Sequence, residues 1–253
     1  MPDTPAIVTR DLHKAFGSKS VLRGLDLEVA RGESLVVIGS SGSGKSVLLK
    51  CILGIVAPDA GRVRIDGQDT RGRPDPAFLD RFGMLFQGGA LFDSLTVWQN
   101  VAFRLLRGPR RRPPPEARAR AVEKLARVGL GAEVADLFPA QLSGGMQKRA
   151  GLARAIATDP EVIFFDEPTT GLDPIMAGVI NELIRGIVAE TGATAVTITH
   201  DMTSVRAIAH RVAMLHDGRI RWQGPVDALD TAPDPLVQQF IHGHAEGPFF
   251  AHP

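Results

Sequence analysis

The chain has 253 residues, 44% of them hydrophobic, enough to bury a substantial core; the length fits one or two domains, and α/β folds of this size are often single units with a subdomain. Its 29 basic and 28 acidic residues leave a net charge of +1, which argues against a nucleic-acid partner, since such a face carries a marked basic excess. The single cysteine, Cys51, excludes an internal disulfide framework, and no stretch approaches the ~18 apolar residues of a membrane-spanning helix. The opening MPDT lacks the basic and apolar regions of a signal peptide, so a cytosolic chain is expected, with another chain spanning the bilayer if the process involves a membrane.

In chain order, AIVTR (6–10), VLRGLDLEV (21–29) and ESLVVIG (33–39) read as short strands. A loop and a helix follow from Gly44 to about Leu53, and RVRIDG (62–67) adds a strand ending in an Asp-Gly turn. RFGMLFQ (81–87) is an apolar strand. Leu95, Trp98, Val101, Ala102 and Leu105 recur at helical spacing between Ser94 and Leu106. The Pro-rich basic stretch at 107–115 reads as a solvated loop. A helix over 116–128 stops at Gly129, a suitable C-terminal cap. VIFF (162–165) and ATAVTIT (193–199) alternate with helices, as in a parallel sheet with crossover helices. HDGRIRWQG (216–224) reads as a hairpin turning at Asp217-Gly218, and no internal repeat is present.

Three segments carry chemistry. Gly39, Ser40, Ser41, Gly42, Ser43, Gly44, Lys45 and Ser46 fit G-x-x-x-x-G-K-[ST], after an apolar strand and before a helix that continues through Val47. Glycines let the backbone wrap closely, so N–H groups and the helix N-terminus point at phosphate oxygens. Lys45 then bridges the β- and γ-phosphates of a nucleoside triphosphate, and the Ser46 hydroxyl ligates Mg²⁺. In VIFFDE, Asp166 emerges at the carboxyl end of a buried strand, where ligands sit in open α/β sheets, to hold the Mg²⁺ shell. Glu167 follows it, placed to activate a water. The third segment, LSGGM (142–146), opens a helix with Ser143 at its cap, and Gly144 and Gly145 allow close approach: a second phosphate-binding helix N-terminus.

The LSGGM segment, in order between the other two, resembles the signature of ABC ATPases. That resemblance covers the chain from Phe16 to about Phe240 and implies an α/β P-loop NTPase of the ABC type. An N-terminal antiparallel β subdomain and an inserted helical subdomain (about 88–158) belong to one domain (1–243), followed by a C-terminal tail (244–253). It implies ATP and Mg²⁺ as ligands. It also implies a head-to-tail homodimer in which Ser143, Gly144, Gly145 and Asp173 (the D-loop) serve the partner's nucleotide. Gln87 matches the Q-loop that contacts Mg²⁺ and water and senses a permease; His200 matches the switch histidine at the γ-phosphate. Phe16 matches the aromatic that stacks on adenine, where the family more often has Tyr, but stacking needs only a ring face. Met146 replaces the usual Gln, which puts ribose-side contacts in doubt, not hydrolysis.

QGGALFDSLTVWQNVAF (87–103) and the tail DPLVQQFIHGHAEGPFF (234–250) look like the ATPases of Mla-type transporters, related to Mce-associated and organic-solvent-resistance proteins. These carry phospholipids between the two membranes of Gram-negative bacteria. The narrower likeness implies a peripheral subunit on the cytoplasmic face of the inner membrane. Its implied partners are an integral permease, a membrane-anchored Mce-type lipid-binding protein and a small accessory protein. Leu91, Phe92, Leu95, Val97 and Trp98 are apolar groups of which some are expected to meet the permease and the rest to pack the helical subdomain. The Phe249-Phe250 pair is expected to fasten the tail to a second copy or to an accessory protein. The alternative within the family is an importer of a small polar solute such as an amino acid; that group normally has LSGGQ and lacks the GPFF ending. DNA-acting relatives need a long coiled-coil insertion, and no heptad run exists here.

Overall fold

The computed structural model describes residues 4–70 and 76–248. The elements are β1 Ile7–Phe16, β2 Lys19–Val29, β3 Ser34–Ile38, α1 Lys45–Ile52, β4 Ala60–Ile65, β5 Gln68–Asp69, α2 Pro76–Leu79 and β6 Phe82–Leu85. Then come α3 Val97–Val101, α4 Phe103–Arg107, α5 Pro114–Arg127, α6 Gly144–Ala155, β7 Val162–Asp166 and α7 Pro174–Thr191. The chain closes with β8 Thr194–Ile198, α8 Met202–Ile208, β9 Arg211–His216, β10 Arg219–Pro225 and α9 Pro235–His242. Two compact units result: Met1–Arg73 with Ile198–Pro253, and Pro74–Thr197.

The first unit holds the expected antiparallel subdomain, a four-stranded sheet in the order β2-β1-β4-β5. Strand β1 runs six residues beyond the AIVTR segment because a bulge at Asp11, φ 47°, lets it bend and resume pairing with β2. Two-residue turns close β4 to β5 and β9 to β10; Asp66-Gly67 and Asp217-Gly218 all have positive φ, the pairing that matches strand twist. Strand β3 pairs parallel with β9, and its five residues are all buried, as a strand covered on both faces requires. Cys51 lies buried on α1, where loss of solvent pushes its thiol up to about 11, so it acts as a small apolar group.

In the second unit β6 pairs parallel with β7, and Phe164 and Phe165 are fully buried. The single helix expected over 94–106 is instead two. Ser94 and Leu95 stay in a loop because the buried Asn100 amide donates to the carbonyls of Phe92, Leu95 and Thr96 and accepts from the Phe92 N–H. Helix α3 therefore starts after Thr96, whose N–H donates to Gln99 Oε1 at 2.9 Å. A second break falls at Ala102, with ψ 7°. Of the apolar set in this stretch, Val97 is buried while Phe92 is exposed and stacks on Phe103 with centroids 4.6 Å apart. Helix α5 opens on Pro114, whose missing N–H costs nothing in a first turn, and its buried residues are Ala117, Ala121, Leu125 and Lys124, whose ammonium pairs with Asp159. Phe249 and Phe250, expected to fasten the tail, lie outside the described residues.

Candidate functional site

In the first unit, the buried strand β3 delivers the chain into the glycine-rich loop. Gly39, Gly42 and Gly44 have φ of 153°, 79° and 108°, values that side chains with a Cβ rarely adopt. A Cβ at Gly39 would lie 2.3 Å from the Leu215 carbonyl oxygen, whereas one at Gly42 would meet nothing within 4 Å. The loop thus packs its first glycine against β9 and leaves its middle open above the backbone. Lys45 folds back over it, its Nζ donating to the carbonyls of Gly39 at 2.7 Å and Ser40 at 3.0 Å. Ser43 Oγ is buried without a hydrogen-bond partner, the kind of orphan a bound phosphate oxygen would satisfy. Phe16, Lys19, Val21, Gly42, Gly44, Lys45, Ser46 and Val47 line a cavity of ≈ 350 Å³. Phe16 is 51% exposed there, with Lys14 Nζ 5.4 Å from its ring centroid. The loop is open on its middle and flanked by an aromatic ring, a geometry able to receive a phosphate chain.

His200 also belongs to the first unit, two residues past β8 and exposed. Its turn is held on both sides: the Asp201 N–H donates to Thr199 Oγ1 at 3.1 Å, and the Asp201 carboxylate caps α8 through the N–H groups of Thr203 and Ser204.

The second unit carries the carboxylates and the second helix terminus. Asp166 ends β7, half-buried. Glu167 follows with φ 48°, a left-handed conformation costly for a residue with a Cβ and one found at functional sites. The Thr170 hydroxyl donates to Glu167 Oε2 at 3.0 Å, which orients the carboxylate. Ser143 caps α6, its Oγ accepting from the Met146 N–H at 3.3 Å, and stands exposed beside Gly144. Gly145 is buried, and a Cβ on it would lie 2.7 Å from Met176 Cε, so the third residue of α7 presses on the signature. Asp173 Oδ1 accepts from the N–H groups of Ile175 and Met176, both at 3.0 Å, as the N-cap of α7. Gln87 is exposed in a loop after β6, where Gly88, Gly89 and Ala90 all have positive φ.

Two cations on α6 were not singled out from the sequence. Arg154 donates to the carbonyls of Gly89 and Ala90, both at 2.8 Å, and so fixes the loop that bears Gln87. Lys148, only 3% exposed, donates from Nζ to the Glu167 carbonyl at 3.1 Å. Burial pulls the Lys148 pKa below its usual value, against the opposing pull of the Glu167 and Asp166 carboxylates. A signal for Lys148 existed: it shares a helical face with Gly145, Leu152 and Ala155, all buried.

The fold and these two sets of groups define a P-loop ATPase. The family model for ABC transporters matches residues 22–170, more than half of the sequence, and the chain belongs to that family. It is an ATPase that takes ATP with Mg²⁺. The chain is 40% identical over 242 residues to the intermembrane phospholipid transport system ATP-binding protein MlaF of Escherichia coli K12, covering 94% of this chain and 89% of that protein. It is 39% identical over 251 residues to a probable ribonucleotide transport ATP-binding protein of Mycobacterium leprae, covering 98% of this chain and 72% of that one. Among solved structures, a dimeric post-hydrolysis ATP-binding cassette bound to ADP and phosphate aligns with TM-score 0.78 and 32% identity, over 87% of this chain and 98% of that one.

Proposed function

We propose that this ATPase is one of two identical motors driving phospholipid transport between the membranes of a Gram-negative bacterium. It works as a peripheral subunit on the cytoplasmic face of the inner membrane, beneath an integral permease. The observation that carries the reading is the extent of the likeness to MlaF, 89% of whose length is matched, so that the agreement takes in the segments flanking the motifs. Among the described residues no helix is long and apolar enough to cross a membrane, which fits a motor that acts through another chain. Residues 1–243 form the cassette; the helical part, about 88–158, meets the permease, and the exposed Phe92 is a contact for it. A membrane-anchored Mce-type protein and a small accessory protein complete the assembly.

Each residue has a part in hydrolysis. Phe16 stacks on adenine, and the loop from Gly39 to Val47 binds the phosphates through its N–H groups, with Lys45 offsetting charge at the β- and γ-positions. Ser46, Gln87 and Asp166 would hold Mg²⁺; a hydroxyl, an amide oxygen and a carboxylate are the hard oxygen donors that ion prefers. The ion would neutralise charge on the phosphate oxygens when bound. Glu167 accepts the proton of a water whose oxygen bonds to the γ-phosphorus as the bond to the β–γ bridging oxygen breaks, giving ADP and phosphate. His200 contacts the γ-phosphate and orients Glu167 and the water. Ser143, Gly144 and Gly145 close on the phosphates of the partner's nucleotide, and Asp173 reaches across the dimer.

The ribonucleotide transport named for the mycobacterial relative supports the polar-solute alternative, so the test compares both cargoes. The motor and its cognate permease are reconstituted in liposomes, and ATP-dependent movement of a fluorescent phospholipid and of a radiolabelled ribonucleotide is followed. Movement of the lipid alone is expected. Movement of the ribonucleotide with the lipid static would replace the phospholipid reading with the polar-solute one.

A further inference from the structure

A glutamate that is to act as base must point its carboxylate at the water in every cycle, yet Glu167 sits in a backbone conformation that L-residues disfavour, φ 48°. Something must hold that peptide. The Glu167 carbonyl accepts a long bond from the Thr170 N–H at 3.4 Å and a closer one from the Lys148 ammonium, buried on α6, with Nζ at 3.1 Å. A buried lysine loses both solvation and side-chain freedom, and its retention inside the unit calls for a partner of this kind. The carboxylate end is handled separately by Thr170 Oγ1, so the residue is gripped at both ends, backbone and side chain.

We infer that Lys148 is the positioning residue of the base: its ammonium anchors the Glu167 carbonyl and so fixes the direction in which the carboxylate leaves the backbone. Lys148 lies five residues along α6 from Ser143, a rise of about 7.5 Å at 1.5 Å per residue. The helix N-terminus that serves the partner's nucleotide and the lysine that holds this chain's own base therefore belong to one rigid rod. The inference rests on the proposed reading of Glu167 as base.

The test uses the assembled transporter with Lys148→Met, which keeps length and apolar bulk, and Lys148→Arg, which restores a donor and a charge. Lys148→Met should lower kcat by about 10²-fold, the cost of a misplacement of order 1 Å, with the KM for ATP and nucleotide affinity within about twofold. Lys148→Arg should recover most of the loss. In single-turnover measurements on a Glu167→Gln background, Lys148→Met should add nothing, because the group it positions is already inert. If Lys148→Met fails to fold, Lys148→Leu, which also removes the donor, carries the same comparison. An unchanged kcat, a loss that Arg does not rescue, or losses that multiply on the Glu167→Gln background would each overturn the assignment. A wild-type rate for Glu167→Gln alone would instead sink the base reading.

Discussion

Glu167→Gln is expected to bind ATP normally and to lose at least 10²-fold in turnover, about 2.7 kcal/mol of transition-state stabilisation. The amide keeps the shape of the carboxylate and can still accept from Thr170 Oγ1, which lies 3.0 Å from Glu167 Oε2. Lys148 bonds the backbone carbonyl, which the substitution leaves alone, so the disfavoured φ of 48° stays supported. What is lost is the capacity to take a proton. The variant should therefore accumulate as an ATP-bound closed dimer, visible by size exclusion with ATP and absent with ADP. A wild-type hydrolysis rate in the assembled transporter would show that another group is the base.

Lys45→Ala is expected to weaken ATP binding by about 10²-fold and to bring hydrolysis below detection, by analogy with the loss of one preorganised donor at a site of developing charge. Lys45 Nζ now donates to the carbonyls of Gly39 and Ser40, so the ammonium is held above the loop before any phosphate arrives. Removing it takes away the local positive charge and the arm that braces the loop. The half-buried position of Lys45 limits the cost to the fold, so the thermal midpoint without nucleotide should change little. Nucleotide titration by fluorescence, beside a thermal melt, separates the two effects. Tight ATP binding by Lys45→Ala would place the phosphates elsewhere.

Much of this molecule was legible because its chemistry is local. Glycines at positive φ, an apolar strand, a lysine and a hydroxyl stand consecutively in 34–46, and short-range sterics alone prescribe that loop. The two Asp-Gly turns were readable for the same reason, since both residues of each sit in the left-handed region. What escaped was set by contacts distant in sequence or by side chains folding onto the backbone. Periodicity merged α3 and α4 and began the helix early, because apolar spacing is blind to an Asn100 amide collecting three carbonyls. Lys148 and Arg154 were not singled out; the helical face Lys148 shares with buried residues hinted at its burial, but only the packing of α6 in the second unit shows which loops, those that bear Glu167 and Gln87, the two cations hold. The left-handed backbone of Glu167 had no sequence signal at all, for glutamate is not a residue that such a position favours.

The central claim, that each ATP is held by the P-loop of one chain and the signature of the other, has one decisive test. A mixed dimer carries Lys45→Ala in one subunit and Ser143→Arg in the other, with differently tagged chains purified as the heterodimer, and bound ATP is counted per dimer. The composite arrangement places both defects at one site and leaves the second intact, so one tightly held nucleotide per dimer is predicted. Two equivalent sites, both filled or both empty, would contradict it.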